Sequence, residues 1–358
     1  MATSHFIAPM RLFKTSLSFL ITGIIIFSFF VFWSYFNTPH NFSVISNVPT
    51  TTTTTEPQEV SLLTLGDIML SRGVAYKISK HTPEYPFIKV KDTLWKSDLV
   101  FGNLEGPIIE GREIANGEMV FRMDPNLVSV LSDNNIGILS LANNHIPNFG
   151  EEGIKSTITK LGYQNIHTVG AGQGEDAYKA TIVNVKGIKI AFLAYSDPMT
   201  TQSGYAAAED HYGIAQMDSS RLKSDIAVAK ESADLVVIYM HSGEEYETNP
   251  TSRQINFAHM AIDNGADLVI GSHAHVVQSV EKYQNKYIVY GLGNFIFDQM
   301  FSLPTRQGVM AKFILTKAGV KSVEFLPYLI NDYCQPTPVE GNDANKILKL
   351  LKLALPQK

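Results

Sequence analysis

A single cysteine, Cys334, stands in 358 residues, so no intramolecular disulfide can form and a thiolate metal cluster is excluded. Charge is scarce as well. Asp, Glu, Lys and Arg make up 18% of the chain and the net charge is -5, which gives no electrostatic basis for a nucleic-acid partner. No internal repeat is present, which argues against solenoids and propellers. Basic residues are missing altogether between Lys14 and Arg72. Inside that gap, residues 17–36 read LSFLITGIIIFSFFVFWSYF, without a charge. As a helix at ~1.5 Å per residue, the run is about 30 Å long, the thickness of a hydrocarbon core. Arg11 and Lys14 precede it, so the positive-inside rule predicts cytoplasmic residues 1–16, one transmembrane anchor over 17–36 and an extracytoplasmic remainder. Trp33, Tyr35 and Phe36 fall where an interfacial aromatic belt lies. A cleaved signal peptide fits less well, because its apolar region is usually shorter and no small-residue cleavage site follows directly. A buried core helix would not be this uniformly apolar.

Residues 37–59 are polar and contain six consecutive threonines, Thr50 to Thr55, ahead of Glu56-Pro57. Such a stretch has little to bury and reads as a tether, with or without attached glycans. From Val60 the texture changes. Apolar runs at 61–65, 98–104, 136–141, 188–195, 234–240 and 267–271 predict strands, and amphipathic stretches near 125–134, 151–162, 218–231 and 252–264 predict helices. Nearly continuous apolar strands alternating with helices indicate an α/β sandwich. Residues 184–187 and 283–286 look like hairpin turns, so the sheets are mixed. The main domain is drawn over 60–335 and an amphipathic tail over 336–358, whose KILKLLKLAL segment (346–355) reads as a docked helix rather than a second membrane contact.

The chemistry gathers where the strands end. Asp67 follows 61–65, Asn103 and Glu105 close 98–104, and Asn143, Asn144 and His145 follow 136–141. His241 follows 234–240, and His273 and His275 follow 267–271. Open α/β sheets bind ligands at the carboxyl ends of their strands. A lone aspartate there can be a cap and a lone histidine is more often structural. Five strands that each deliver a carboxylate, amide or imidazole make that bland reading improbable. The mixture of donors suits Mn, Fe or Zn.

The segments GDIMLSRGV (66–74), GNLEGPI (102–108), LANNHIPNFGEEGI (141–154), HSGEEY (241–246), GSHAHVVQ (271–278) and YGLGNFIFDQ (290–299) resemble the CapA family of poly-γ-glutamate capsule biosynthesis proteins, a branch of the calcineurin-like metallophosphoesterases. The resemblance runs over roughly residues 60–330 in collinear order. It implies a calcineurin-like four-layer sandwich, two mixed sheets flanked by helices, behind one N-terminal anchor. Carried over, Asp67 is similar to the first metal-binding aspartate and Glu105 to the bridging carboxylate, with Asn103 a competitor for that place. Asn144 is similar to the amide ligand, His145 to the general acid, and His241, His273 and His275 to the remaining imidazole ligands of one or two divalent ions. Met69 stands where the wider superfamily has a histidine, Glu105 where it has an aspartate, and Asn148 where the family commonly has an aspartate.

Three function classes follow. The first is a metal-dependent hydrolase of phosphoester or γ-glutamyl bonds outside the cell. The second is a non-catalytic accessory subunit that binds or guides nascent poly-γ-glutamate beside membrane synthase subunits. In the third only the fold is shared and another envelope polymer is served. An anionic polymer or phosphoester substrate makes Arg72, Arg122 and Asn103 candidate substrate contacts, although either arginine can equally be a surface ion pair.

Overall fold

The computed structural model describes Trp33 and residues 58–201 and 204–352. Apart from Trp33, the anchor expected over 17–36 lies outside the described residues, as does the tether up to residue 57. Among the described residues no helix is long and apolar enough to cross a membrane.

One eight-stranded sheet holds β1 (Val60–Ile68), β2 (Leu99–Leu104), β3 (Ile136–Ser140), β4 (His167–Val169), β13 (Asn294–Ile296), β14 (Gln307–Thr316), β15 (Gly319–Asn331) and β16 (Gln335–Pro338). Their order is β16-β15-β14-β1-β2-β3-β4, with β13 also paired to β1. A six-stranded sheet has the order β11-β12-β10-β9-β7-β6, from β6 (Thr181–Val185), β7 (Ile188–Ser196), β9 (Leu235–His241), β10 (Leu268–Ser272), β11 (Val280–Tyr283) and β12 (Lys286–Val289). The small pair β5 (Ala171–Gln173) and β8 (Tyr212–Ile214) stands apart. Both large sheets are mixed. β1 runs parallel to β2 and β13 but antiparallel to β14, while β9 is parallel to β7 and β10. The two expected hairpins are present, β6–β7 turning at Lys186-Gly187 and β11–β12 at Gln284-Asn285. All four turn residues have positive φ, the conformation that matches the twist of the flanking strands.

Period-two alternation explains the layers. Leu63 and Leu65 of β1 join an apolar cluster with Val74 and Ile78 of the helix Arg72–Lys80 and with Ile154 and Leu161 of the helix Gly150–Tyr163. Val60 and Leu62, pointing the other way, join Phe101, Phe192, Tyr239 and Ile270 between the sheets. A third cluster puts Leu193 and Ile238 against Leu222 and Ile226 of the helix Ser219–Ser232 and Phe257 of the helix Ser252–Asp263. The sequence of layers is helices, sheet, sheet, helices, and the central strands β1, β2, β9 and β10 are buried on both faces, as their composition demands. The tail segment forms a helix over Gly341–Leu350, and Ile347 and Leu351 are buried in the inter-sheet cluster. β16 carries the first sheet across the boundary drawn at 335. The stretch near 125–134 is less regular than expected, a short 3-10 turn Pro125–Leu127 followed by Val128–Ser132.

Candidate metal centre

The strands run further than their apolar runs suggest, and this sets the site. β1 continues to Ile68, so Asp67 lies within the strand, in register with Asn103 of β2 on one side and Asn294 of β13 on the other. His241 is the last residue of β9 and is paired with Ser272 and Ser196 on its neighbours. Beyond β10 the chain folds back sharply, with left-handed backbone at His273 (φ 96) and His275 (φ 58). That reversal sends the two imidazoles in different directions.

His275 turns toward the first sheet. Its Nδ1 lies 3.4 Å from Asp67 Oδ2 and its Nε2 3.7 Å from Glu105 Oε1. One donor atom from each of these three buried residues falls within 4.8 Å of the others, a spacing suited to one ion. His273 turns toward the second sheet, placing Nδ1 3.2 Å from His241 Nε2, which is in turn 2.9 Å from Asn144 Oδ1. The backbone N–H of His273 reaches Asp67 Oδ2 at 3.4 Å and joins the two groups. His145 stands at the edge, Nε2 3.9 Å from Glu105 Oε1. All seven residues expected as ligands or acid therefore meet in one connected constellation.

Local hydrogen bonds aim the donors. Asn294 Oδ1 is 2.8 Å from His275 Nδ1, and the amide is oriented by donation to Gln299 Oε1 and the Thr305 carbonyl. With Nδ1 so engaged, Nε2 of His275 is left to accept a cation, the usual arrangement behind a histidine ligand. Ser272 Oγ lies 2.9 Å from His241 Nδ1 and does the same there. Asn143 Oδ1 accepts the N–H groups of His145 and Ile146, which fixes the turn that presents Asn144. The sequence offers little to single out Asn143, Asn294 or Ser272. Asn294 acts from a three-residue strand whose pairing with β1 no periodicity reveals.

Glu105 is the strongest test of whether an ion fits. It is 1% exposed, and both carboxylate oxygens are buried without a hydrogen-bond partner among the described residues. Burial, followed by the charge of Asp67, pushes its carboxyl well above the ordinary range. Burial would also raise Asp67, but the hydrogen bond from His275, helped by the charge of His241, holds it at about 2. Burial alone would lower His275, yet the carboxylates of Glu105 and Asp67 outweigh it and push the imidazole up to about 9. Burial dominates at His145, lowered to about 3, and at His273, lowered to about 4. The buried carboxylates, imidazoles and amide oxygen are a donor set that fits a divalent cation once the His275 proton is displaced.

The expected substrate contacts are placed differently. Asn103 is fully buried and donates Nδ2 to Asp67 Oδ1 at 2.8 Å, so it orients a candidate ligand and has no access to substrate. Arg122 gives Nε and Nη1 to the carbonyls of Arg112 and Ile109 and staples a loop. Arg72 pairs with Asp298, donates to the Glu118 carbonyl and lies over the Phe121 ring, which stacks on His145 at 3.8 Å. Both guanidinium groups thus have internal partners, although Arg72 Nε has none among the described residues. Met69 is buried, its sulfur facing the Ser71 N–H, and contributes no imidazole. Arg253, which no motif in the sequence marks out, is 49% exposed along its side chain, with Nε 3.4 Å from the buried Asp197. Asp197 also accepts from Ser242 Oγ and acts electrostatically on His273.

The fold and its donor set define a mixed α/β sandwich with a buried carboxylate–imidazole–amide centre at the carboxyl edge of its sheets. The family described as Bacterial capsule synthesis protein PGA_cap matches residues 61–299, and the chain belongs to that family. Its relatives include the capsule biosynthesis protein CapA of Bacillus anthracis, 30% identical over 83% of this chain and 74% of the relative. The PGA biosynthesis protein CapA of Bacillus subtilis is 34% identical over 77% of this chain and 73% of its own length. Among solved structures, the NAD nucleotidase of Haemophilus influenzae is similar at a TM-score of 0.48 with 13% identity, covering 83% of this chain and 63% of that one.

Proposed function

We propose that this protein acts in poly-γ-glutamate capsule synthesis at the outer face of the membrane, as a divalent-metal-dependent hydrolase of phosphoester or γ-glutamyl bonds. The observation that carries this reading is Glu105, whose two carboxylate oxygens are buried without a hydrogen-bond partner among the described residues, beside Asp67 and His275. Such a group is costly to keep charged unless a cation meets it. Asp67, Glu105 and His275 would hold one ion, and Asn144, His241 and His273 a second, of the Mn, Fe or Zn kind. When bound, the metal supplies Lewis acidity toward a phosphoryl or acyl oxygen and lowers the pKa of water. His145 handles the proton. Its Nδ1 is taken by Asn148 Oδ1 at 3.0 Å, an oxygen that also accepts the Phe121 N–H, so Nε2 is the atom free to exchange a proton. His145 is neutral near pH 7 in the metal-free protein and must first take up a proton there before it can pass it to the leaving oxygen. Arg253 offers the exposed guanidinium for a substrate carboxylate or phosphate.

The accessory reading, in which the protein binds or guides nascent polymer without chemistry, is favoured by Met69, which leaves one ion short of a ligand. Metal content and turnover separate the two. Full-length protein is assayed for bound metal and for hydrolysis of phosphodiester and γ-glutamyl substrates, beside His145→Ala. The substitution is expected to spare metal and lower the rate by roughly 10²–10⁴, about 3–5 kcal/mol of transition-state stabilisation. No turnover in the parent, together with normal capsule in cells carrying His145→Ala, would defeat the hydrolase and leave the accessory role.

A further inference from the structure

Between the helix Arg72–Lys80 and the segments 113–116 and 122–127 lies a cavity of about 740 Å³, a volume in the range that holds a small ligand. Ile78, Ile114, Leu127 and Tyr333 give it apolar walls. None of the residues gathered in the metal centre lines it.

Three cations do line it. Arg72 is neutralised by Asp298 and Lys77 by Asp332. Arg122 is not neutralised. It is 7% exposed, its Nε and Nη1 are spent on the carbonyls of Arg112 and Ile109, and no carboxylate pairs with it among the described residues. Carbonyl oxygens orient a guanidinium without cancelling its charge, and a buried charge without a counter-charge is costly. Nη2 makes no hydrogen bond among the described residues and is the donor left for the cavity. Two acids also line the cavity. Asp124 spends Oδ1 on the Asn126 N–H, and Glu113 is exposed to water, so neither replaces the missing partner. A chain of contacts leads from here to the centre, because Arg72 lies 4.5 Å over the Phe121 ring and that ring stacks on His145 at 3.8 Å.

We propose that this cavity is a second binding site, which takes a carboxylate carried on a short aliphatic stem with Arg122 as its counter-charge. A guanidinium suits a carboxylate, and the apolar walls suit the stem. A γ-glutamyl chain offers such a unit at every residue, and a free dicarboxylate offers the same chemistry. The site stands on Arg122 and the cavity; only the choice of the γ-glutamyl chain as its source rests on the capsule reading above.

The test is calorimetric titration of the metal-free full-length protein with a short γ-glutamyl oligomer and, separately, with glutarate. Arg122→Gln is expected to weaken binding about tenfold or more. Because Arg122 also staples a loop, a second pair of variants leaves it in place. Asn126→Glu, which adds a negative charge at an exposed lining position, should weaken binding, and Asn126→Lys should not. His275→Ala should bind both probes as the parent does, since the cavity lies outside the centre. Parent-like binding in both Arg122→Gln and Asn126→Glu, or binding lost in His275→Ala alone, would overturn the cavity as the site. So would a parent that binds neither probe, whatever its metal content and turnover. Arg122-dependent binding of glutarate without the oligomer would keep the site and overturn the polymer as its source.

Discussion

At the residue scale, burial and charge pull His275 in opposite directions. The imidazole is raised from 6.5 to about 9 because two carboxylates outweigh its desolvation. In the metal-free protein it is therefore protonated at neutral pH. Its contribution to stability is fully present below 6.5 and is lost as pH rises through about 9. His145 and His273 have the opposite sign. Their values are lowered to about 3 and about 4, so stability falls as pH drops below 6.5 toward those values. On the metal-binding reading, a cation must displace the His275 proton before it can bind. Metal affinity is accordingly expected to fall about tenfold per pH unit for each proton displaced, from pH 8 down to pH 6. Titration calorimetry in buffers of different ionisation enthalpy measures the protons released. Affinity that does not change over this range would show that His275 is not a ligand.

At the element scale, the site depends on how closely the β1–β13 contact is packed. A Cβ on Gly66 would meet the backbone carbonyl oxygen of Gly293 at 1.8 Å, far inside any tolerated contact. Neither backbone can yield without moving Asp67 or Asn294. Gly66→Ala is expected to cost about 3 kcal/mol or more, beyond ordinary overpacking, because the clash is with main chain. Urea unfolding of the purified variant measures this, and a loss under about 1 kcal/mol would mean that the strands separate easily. The same scale separates what the sequence makes legible from what it hides. The six apolar runs are all strands and three helices end within a residue or so of their expected bounds, because continuous burial leaves a strong pattern. β14 and β15 escape notice. β15 mixes Lys321, Ser322 and Glu324 with Val320, Val323 and Phe325, since much of it is half exposed, and Pro327 lies within it. The residues that meet in the candidate centre are legible because each follows an apolar run. The residues that aim the donors are ordinary asparagines and serines whose partners lie far away in sequence. Arg72 and Arg122 invite a role as anion clamps, and their internal partners lie too far away in sequence to be read from it.

At the scale of the whole molecule, the expected anchor and the described domain make separate demands on the chain. Among the described residues, all three apolar clusters are built from residue 60 onward. We propose that 17–36 only holds the domain at the membrane. The full chain is expected to remain in the membrane fraction through high-salt and alkaline washes, with its C-terminus accessible from outside. Recovery of a soluble mature form that begins near residue 40 would overturn the anchor.

The pairing of β1 with β14 also has a consequence in time. Val60 lies opposite Leu315, so the first strand of the domain cannot complete its sheet until more than 250 later residues have been made. Asp67 is among the first donors synthesised, and Asn294, which aims His275, is the last part of the centre to emerge. Long-range pairing of this kind is slow and comes late in folding. The candidate centre is thus assembled only after synthesis is nearly finished, and on the metal-binding reading an ion can enter it only then. A product released before β14 would carry every candidate donor yet leave β1 without its antiparallel partner.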